Sequence, residues 1–234
     1  MNPISFGTNW SSRIAQNHMS SIQANLNTNL QRLSSGYRIN SALDDAAGLG
    51  ISENLRSQIR GLAVGSSNAL AGVNIMQTAD SAMGESALVL QRMRELAVQS
   101  SSEGNLTSAD RANLHTEFTA LQSELGRIAT STKYNGTALL DGSFTSKTIQ
   151  VGADSGAAFR FDVSLDNVNI SAGGLNVSGA TVSTVGGATS AITSIDTAIS
   201  SLNSARANAG ASMARLQTAS DHAQGMRTNL VSQE

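Results

Sequence analysis

The sequence predicts a mainly α protein, an elongated rod of long antiparallel helices packed like a coiled coil, with a small β-hairpin insert. Proline occurs once, at Pro3, so no later residue removes a backbone N–H from a helix. Apolar residues recur every seven positions in two separate segments, and alternation typical of strands lies between them. Ser, Ala and Gly make up 88 of the 234 residues, and such small side chains suit helices that pack closely.

The first apolar pattern predicts a helix with one narrow apolar stripe. Its members lie three or four residues apart and are Ile14, His18, Ile22, Leu26, Leu30, Leu33 and Tyr37. An isolated helix of this kind is marginal, so we expect Ile14, Ile22, Leu26, Leu30 and Leu33 to form an assembly stripe that needs a partner. Glycines at 48, 50 and 61 then predict a connector with short helical turns over 41–61.

Two strict heptad patterns predict the long helices. The first predicts a helix over 58–102, and its seam is Leu62, Ala69, Met76, Met83, Leu90 and Ala97, with Val73, Ala79, Ala87 and Met93 beside it. The second has the seam Ile195, Leu202, Ala209, Leu216, Ala223 and Leu230, with Ile192, Ile199 and Met213 beside it. We expect these two seams to form the helix-packing core.

The segment between the heptads predicts a return helix followed by strands. Thr107 or Ser108 is expected to cap a helix with the stripe Leu114, Phe118, Leu121, Leu125 and Ile128, folded back antiparallel. Tyr134-Asn135-Gly136 predicts a turn. Alternation at 149–151 and 159–165 predicts a hairpin whose loop is 152–156, and 171–190 is interpreted as a linker or loose loop.

These elements predict four domains. Residues 1–42 form an N-terminal helical domain and 43–142 the first part of a core helical domain. Residues 143–187 form the hairpin and the irregular segment after it, and 188–234 the C-terminal core helix.

Composition and motifs disfavour most other classes. There is no cysteine, and the 13 Arg and 2 Lys form no basic run, so nucleic acid is not an expected partner. The longest purely apolar run, Ala87–Leu90, is too short to span a membrane, and the N-terminus does not resemble a cleavable secretory signal. Each of His18, His115 and His222 lacks a second metal ligand at a suitable spacing, and Asp44-Asp45 is interpreted as a helix-start pair. We therefore expect no catalytic residue, cofactor or metal, and no enzyme.

Four stretches closely resemble bacterial flagellins. They are QANLNTNLQRLSSGYRINSALDDAAGLGISENLRSQIRGL (Gln23–Leu62), NIMQTADSAMGESALVLQRMRELAVQSSS (Asn74–Ser102), LGRIATSTKYNGTALLDG (Leu125–Gly142) and IDTAISSLNSARANAGASMARLQTA (Ile195–Ala219). The resemblance implies an extracellular structural protein, exported unfolded through the flagellar secretion apparatus and polymerised with copies of itself. An export chaperone and cap and junction proteins are the other implied partners.

The resemblance also implies recognition by the host's flagellin-sensing Toll-like receptor. The matching positions are Arg92, Leu96 and Glu124, expected to converge on one face that is also a subunit interface. Arg92 and Leu96 lie four apart on one helix, and the plain interpretation is a polar outer side with Leu96 near the seam.

The chain differs from flagellins in two ways, and two other functions stay open. Flagellins continue into a further C-terminal helix that pairs with the N-terminal one, and this chain has none after Glu234. We therefore expect the chain as written to be monomeric, with rapid amide exchange over residues 1–40. The resemblance also implies that 1–42 is the helix of an inner-tube domain and that 143–187 is a reduced variable region, which implies a smooth, thin filament. The alternative functions are a hook–filament junction protein and a coiled-coil adaptor that does not polymerise.

Overall fold

The computed structural model describes residues 10–171 and 173–233, so the predicted inner-tube residues 1–9 and Glu234 lie outside the described residues. The chain divides into two compact units, one ending at Ser57 and the other running from Gln58 to Gln233. The predicted mainly α class with a small β-hairpin insert is confirmed. The four domain boundaries expected from the sequence stay predictions.

The first unit contains helix α1, Trp10–Ser35, and the start of helix α2, Ala46–Ser100. Helix α1 ends where Gly36, at φ 77°, donates its N–H to the carbonyl of Arg32. A left-handed residue just past a helix is an ordinary C-terminal cap, and glycine adopts it without a steric penalty. The side chain of Asp45 then caps α2 by accepting the N–H of Gly48 at 2.9 Å. The interpretation of Asp45 as a helix-start residue agrees with this geometry.

The connector expected over 41–61 is wrong from Ala46 onward, because α2 continues from there to Ser100. The glycines at 48, 50 and 61 all lie inside the helix. A helical glycine costs about 1 kcal/mol relative to alanine, which a cap and tertiary packing can outweigh.

The second unit is a bundle in which α2 runs antiparallel to α4, Val185–Gln233. Three contacts fix their alignment: Ser66 with Ser220 at 2.9 Å, Asp80 with Arg206 at 2.8 Å and Arg94 with Asp196 at 2.7 Å. Residue numbers rise along α2 as they fall along α4, as expected for antiparallel helices.

Helix α3, Ser108–Ser131, returns along α2 after a tightly held connection. Thr107 is the N-cap, and its reciprocal hydrogen bonds with Asp110 form a capping box. The Arg111 guanidinium donates to the carbonyls of Ser100, Ser102 and Leu106 at 2.6–3.1 Å. These bonds hold the C-terminal end of α2 against the start of α3.

Two small antiparallel hairpins follow α3. Strands β1, Lys133–Tyr134, and β2, Thr137–Ala138, meet at a turn in which Asn135 and Gly136 have φ of 48° and 80°. Two consecutive positive φ values define the type I′ turn that Asn-Gly favours. Strands β3, Lys147–Gln150, and β4, Arg160–Val163, pair with Ile149 opposite Phe161, and they form the predicted hairpin.

The β3–β4 hairpin lies directly on α2 at positions where α2 has no side chain. A Cβ on Gly65 would lie 2.5 Å from the carbonyl oxygen of Val151, and one on Gly61 would lie 2.8 Å from Cβ of Ala153. Asn68 adds a hydrogen bond at 3.1 Å to the carbonyl of Gln150. Of the three glycines that suggested a connector, only Gly61 therefore lies under the docked hairpin, together with Gly65 one turn further along α2.

The loose loop expected over 171–190 is also wrong. Irregular backbone connects β4 to α4 at Val185, but its apolar side chains are buried in the core: Leu165, Val168, Leu175, Val177 and Val182. Gln122 of α3 donates to the carbonyls of Val177 and Ala180, and Ser100 donates to that of Val182 at 2.5 Å. These side-chain donors satisfy carbonyls that no regular structure pairs.

Candidate interaction surfaces

The assembly stripe of α1 is exposed along its whole length. No described residue of α1 is buried, and the exposed fractions are 41% for Ile14, 61% for Ile22, 53% for Leu26, 54% for Leu30 and 82% for Leu33. Trp10 and Met19, at 71% and 63%, widen the same apolar surface. One scattered apolar side chain means little, but a contiguous row of this size is typical of an interaction site.

Arg92 lies on the outer side of α2 and is held by carboxylates from two helices. Its guanidinium donates to Glu117 of α3 at 2.9 Å and to Glu95 of its own helix at 3.0 Å. These hydrogen bonds, the one to Glu117 first, raise the pKa of Arg92 above its ordinary value. The side chain is half exposed, so the ion pairs can exchange for contacts with a partner.

Leu96 does not share that surface. It is 1% exposed and belongs to the apolar core of the bundle. The expectation that Leu96 supplies a surface contact beside Arg92 is wrong, because the seam turns this side chain inward. The plain interpretation of Leu96 as a residue near the seam is the one that holds.

Glu124 does not meet Arg92 either. It pairs with Arg127 on its own helix at 2.7 Å, and that hydrogen bond lowers the pKa of the Glu124 carboxyl. Arg92 faces Glu117, and Glu124 lies seven residues further along α3, about 10 Å at ~1.5 Å per residue. The expected convergence of Arg92, Leu96 and Glu124 is therefore absent, and the surface is Arg92, Glu95 and Glu117.

Sequence signals for the two missed carboxylates are weak. Glu95 lies three residues after Arg92, a spacing at which helical ion pairs form. Glu117 can be identified as the partner of Arg92 only when the alignment of α3 with α2 is known, because Glu117 and Glu124 both lie at plausible positions on the return helix.

The predicted seams lie inside the bundle. The residues Leu62, Ala69, Met76, Met83, Leu90 and Ala97 of α2 are buried, as are Ile195, Leu202, Ala209, Leu216 and Ala223 of α4. Leu230 differs, since it is only half-buried. The buried seam of α4 therefore ends one heptad earlier than predicted.

Other kinds of site have little support in the described part of the chain. A shallow groove of about 550 Å³ follows the outer face of α2 and is lined by Gln91, Arg94, Glu95, Val98 and Gln99. Within 10–171 and 173–233, no cluster of three His, Asp or Glu side chains is placed to hold a metal ion. No helix in those ranges has the length and apolar character needed to cross a bilayer.

Comparisons with known proteins agree on one family. The family model for the bacterial flagellin N-terminal helical region matches residues 6–145. Flagellin B of Vibrio cholerae is 50% identical over 155 residues, which are 66% of this chain. Those residues are 41% of that relative, so the chain spans well under half of the curated relatives it matches.

Solved structures share the fold. The crystal structure of Bacillus cereus flagellin has a TM-score of 0.58 and 27% identity, over 67% of this chain and 88% of that one. A structure from Vibrio parahaemolyticus assigned to a flagellar hook-associated protein has a TM-score of 0.66, over 82% of this chain and 98% of that one. At 13% identity the second likeness concerns the fold alone.

Proposed function

The chain belongs to the bacterial flagellin family, and we propose that it is a structural subunit of the flagellar filament that polymerises with copies of itself. The observation that carries this proposal is the exposed assembly stripe of α1, Ile14, Ile22, Leu26, Leu30 and Leu33. Exposed apolar surface is costly at about 25 cal/mol per Å², and lateral packing between copies removes it from water. The proposed filament is extracellular, and its role is mechanical rather than catalytic.

Electron microscopy of the purified chain, added to fragmented filaments as seeds, tests this function. The unmodified chain, expected to be monomeric on its own, is expected to extend the seeds, because a subunit already in the seed offers the partner that its stripe lacks. Leu26→Ser with Leu30→Ser is expected to abolish extension, because both changes remove apolar surface from the stripe. Leu88→Ser is the matched control, since Leu88 is 66% exposed on α2 and lies outside the stripe.

Each result has a distinct meaning. Extension that survives the double change contradicts assembly through α1. Failure of the unmodified chain to extend seeds, combined with binding at hook–filament junctions, supports the alternative of a junction protein. Absence of both seed extension and junction binding supports the alternative of a coiled-coil adaptor that does not polymerise.

Export and recognition complete the proposal. The family resemblance supports passage through the flagellar secretion apparatus with an export chaperone, and contact with cap and junction proteins. For the host's flagellin-sensing Toll-like receptor, the surface now proposed is Arg92 with Glu95 and Glu117. Leu96 would act only by packing beneath it.

A receptor reporter assay tests the recognition proposal. Arg92→Ala is expected to weaken signalling by the monomer about tenfold or more, as for a charged residue central to an interface. Arg127→Ala is the control, because Arg127 is also an exposed helix arginine, 63% against 50% for Arg92, and forms its ion pair with Glu124 of its own helix. Equal signalling by the two variants contradicts a role for the Arg92 surface.

A further inference from the structure

A buried polar cluster joins α2 to α4 near the end of their shared core. Ser66 and Ser220 are 6% and 0% exposed, and their hydroxyl oxygens lie 2.9 Å apart. The amide of Gln224 donates to the Ser66 hydroxyl at 3.2 Å. Ser66 can therefore accept from Gln224 and still donate to Ser220, so one hydroxyl connects two side chains of α4.

The cluster interrupts a seam that is otherwise apolar. Leu216 and Ala223 are buried on either side of Ser220, and Leu62 and Ala69 on either side of Ser66. Beyond this level α4 has no buried residue from Gln224 to Gln233, and α2 has none before Leu62. The polar cluster thus lies in the last two layers that hold these helices together.

Leaving a buried hydroxyl without a partner costs more free energy than its hydrogen bond contributes to net stability. While all partners are present, the cluster contributes a modest net stability. If α4 separates slightly, two hydroxyls lose their partners before water can replace them, which is unfavourable. Apolar contacts weaken gradually with separation, whereas this cluster opens or closes as a unit.

We propose that Ser66, Ser220 and Gln224 form a latch that holds the last turns of α4 on α2 and controls their local opening. Opening uncovers the seam residues Leu62 and Ala223, which then become available to another copy. This last role rests on the proposed filament function, whereas the latch itself is a property of the monomer.

Amide hydrogen exchange on the full monomeric chain tests the latch. Ser66→Ala is expected to speed exchange over 217–230 about tenfold, the effect of losing one buried hydrogen-bonded hydroxyl. Exchange over 195–209, further along the same helix, is expected to stay unchanged. Ser86→Ala is the matched control, because Ser86 is 0% exposed but donates within its own helix, to Ala82 at 3.0 Å.

The double variant Ser66→Ala with Ser220→Ala gives a second readout. Since Ser66→Ala alone breaks the connection, the double variant is expected to exchange no faster over 217–230. Uniform acceleration along α4, an equal effect of Ser86→Ala or additive acceleration in the double variant would each overturn the latch. None of these results depends on whether filaments form, so the latch and the filament proposal fail separately.

Discussion

Gly65 shows at the scale of one residue why α2 tolerates glycine. A methyl group there would overlap the carbonyl of Val151, so Gly65→Ala is expected to displace the β3–β4 hairpin and destabilise the second unit by about 1–3 kcal/mol. Gly84→Ala is the control, because no atom lies within 4 Å of its added Cβ, and it is expected to stabilise by about 0.5–1 kcal/mol. Chemical denaturation measures both, and a stabilising Gly65→Ala would contradict hairpin docking.

Leu216 tests the seam at the same scale. The side chain is 0% exposed, and its Cδ1 would lie 3.0 Å from a Cβ on Gly72. Leu216→Ala is expected to cost about 2–5 kcal/mol through lost burial and the cavity left behind. Leu216→Asp is expected to cost more, because its charge would be buried without a partner. Thermal melts of both variants within a degree of the unmodified chain would show that the seam is not a packed interface.

The connection between α1 and α2 carries a prediction at the scale of elements. The Asp44 carboxylate accepts the N–H groups of Asn40 and Ser41 and lies 3.3 Å from the Arg32 guanidinium. The hydrogen bond from Asn40, followed by those from Ser41, lowers the pKa of Asp44 below its ordinary value. Because the folded pKa is the lower one, this contribution is present above the ordinary carboxyl range of about 4 and is lost as the pH falls below it.

Exchange of the 36–45 amides between pH 3 and 6, corrected for intrinsic rates, measures that loss. Protection is expected to fall at the acid end in the unmodified chain, and to be lower and independent of pH in Asp44→Asn. Asp154→Asn is the control, since Asp154 lies in the β3–β4 hairpin. A pH dependence that persists in Asp44→Asn would assign it to another group.

The same elements show what the sequence can and cannot predict. The heptads predicted both long helices and their buried seams, because a seven-residue period constrains which face turns inward. Gly61 of α2 and the segment before α4 were misinterpreted for one reason. Gly61 lies where Ala153 of the β3–β4 hairpin packs on α2, and the carbonyl of Val177 accepts a hydrogen bond from Gln122 of α3. Both contacts join residues that are distant in sequence, so no local pattern could have predicted them.

Surface residues are predicted least well. Leu96 was assigned to a surface by motif, although its place in the seam was visible in the spacing. The partner of Arg92 depends on how α3 aligns with α2, and one heptad separates the correct Glu117 from Glu124. A periodic sequence leaves such a shift undetermined, because each choice places a carboxylate on the same helical face.

At the scale of the whole molecule, the contrast between an exposed α1 and a buried seam predicts two classes of amide. In the isolated chain, exchange over 10–35 is expected to be fast, because α1 has no buried residue and a single helix of this length is marginal in water. Exchange over 62–97 is expected to be slow, because its seam is buried throughout. Equal protection of the two segments in the monomer would mean that α1 already has a partner.

Assembly is expected to slow amide exchange in α1 and to leave exchange over 62–97 unchanged. In extended filaments, exchange over 10–35 is expected to slow toward the rate of the seam, since packing between copies would remove the stripe from water and couple helix opening to loss of that contact. The 62–97 amides are already protected, so they serve as the internal reference in each sample. If the 10–35 amides keep their monomer rate inside filaments, α1 is not the element that assembles, and the stripe must serve another partner.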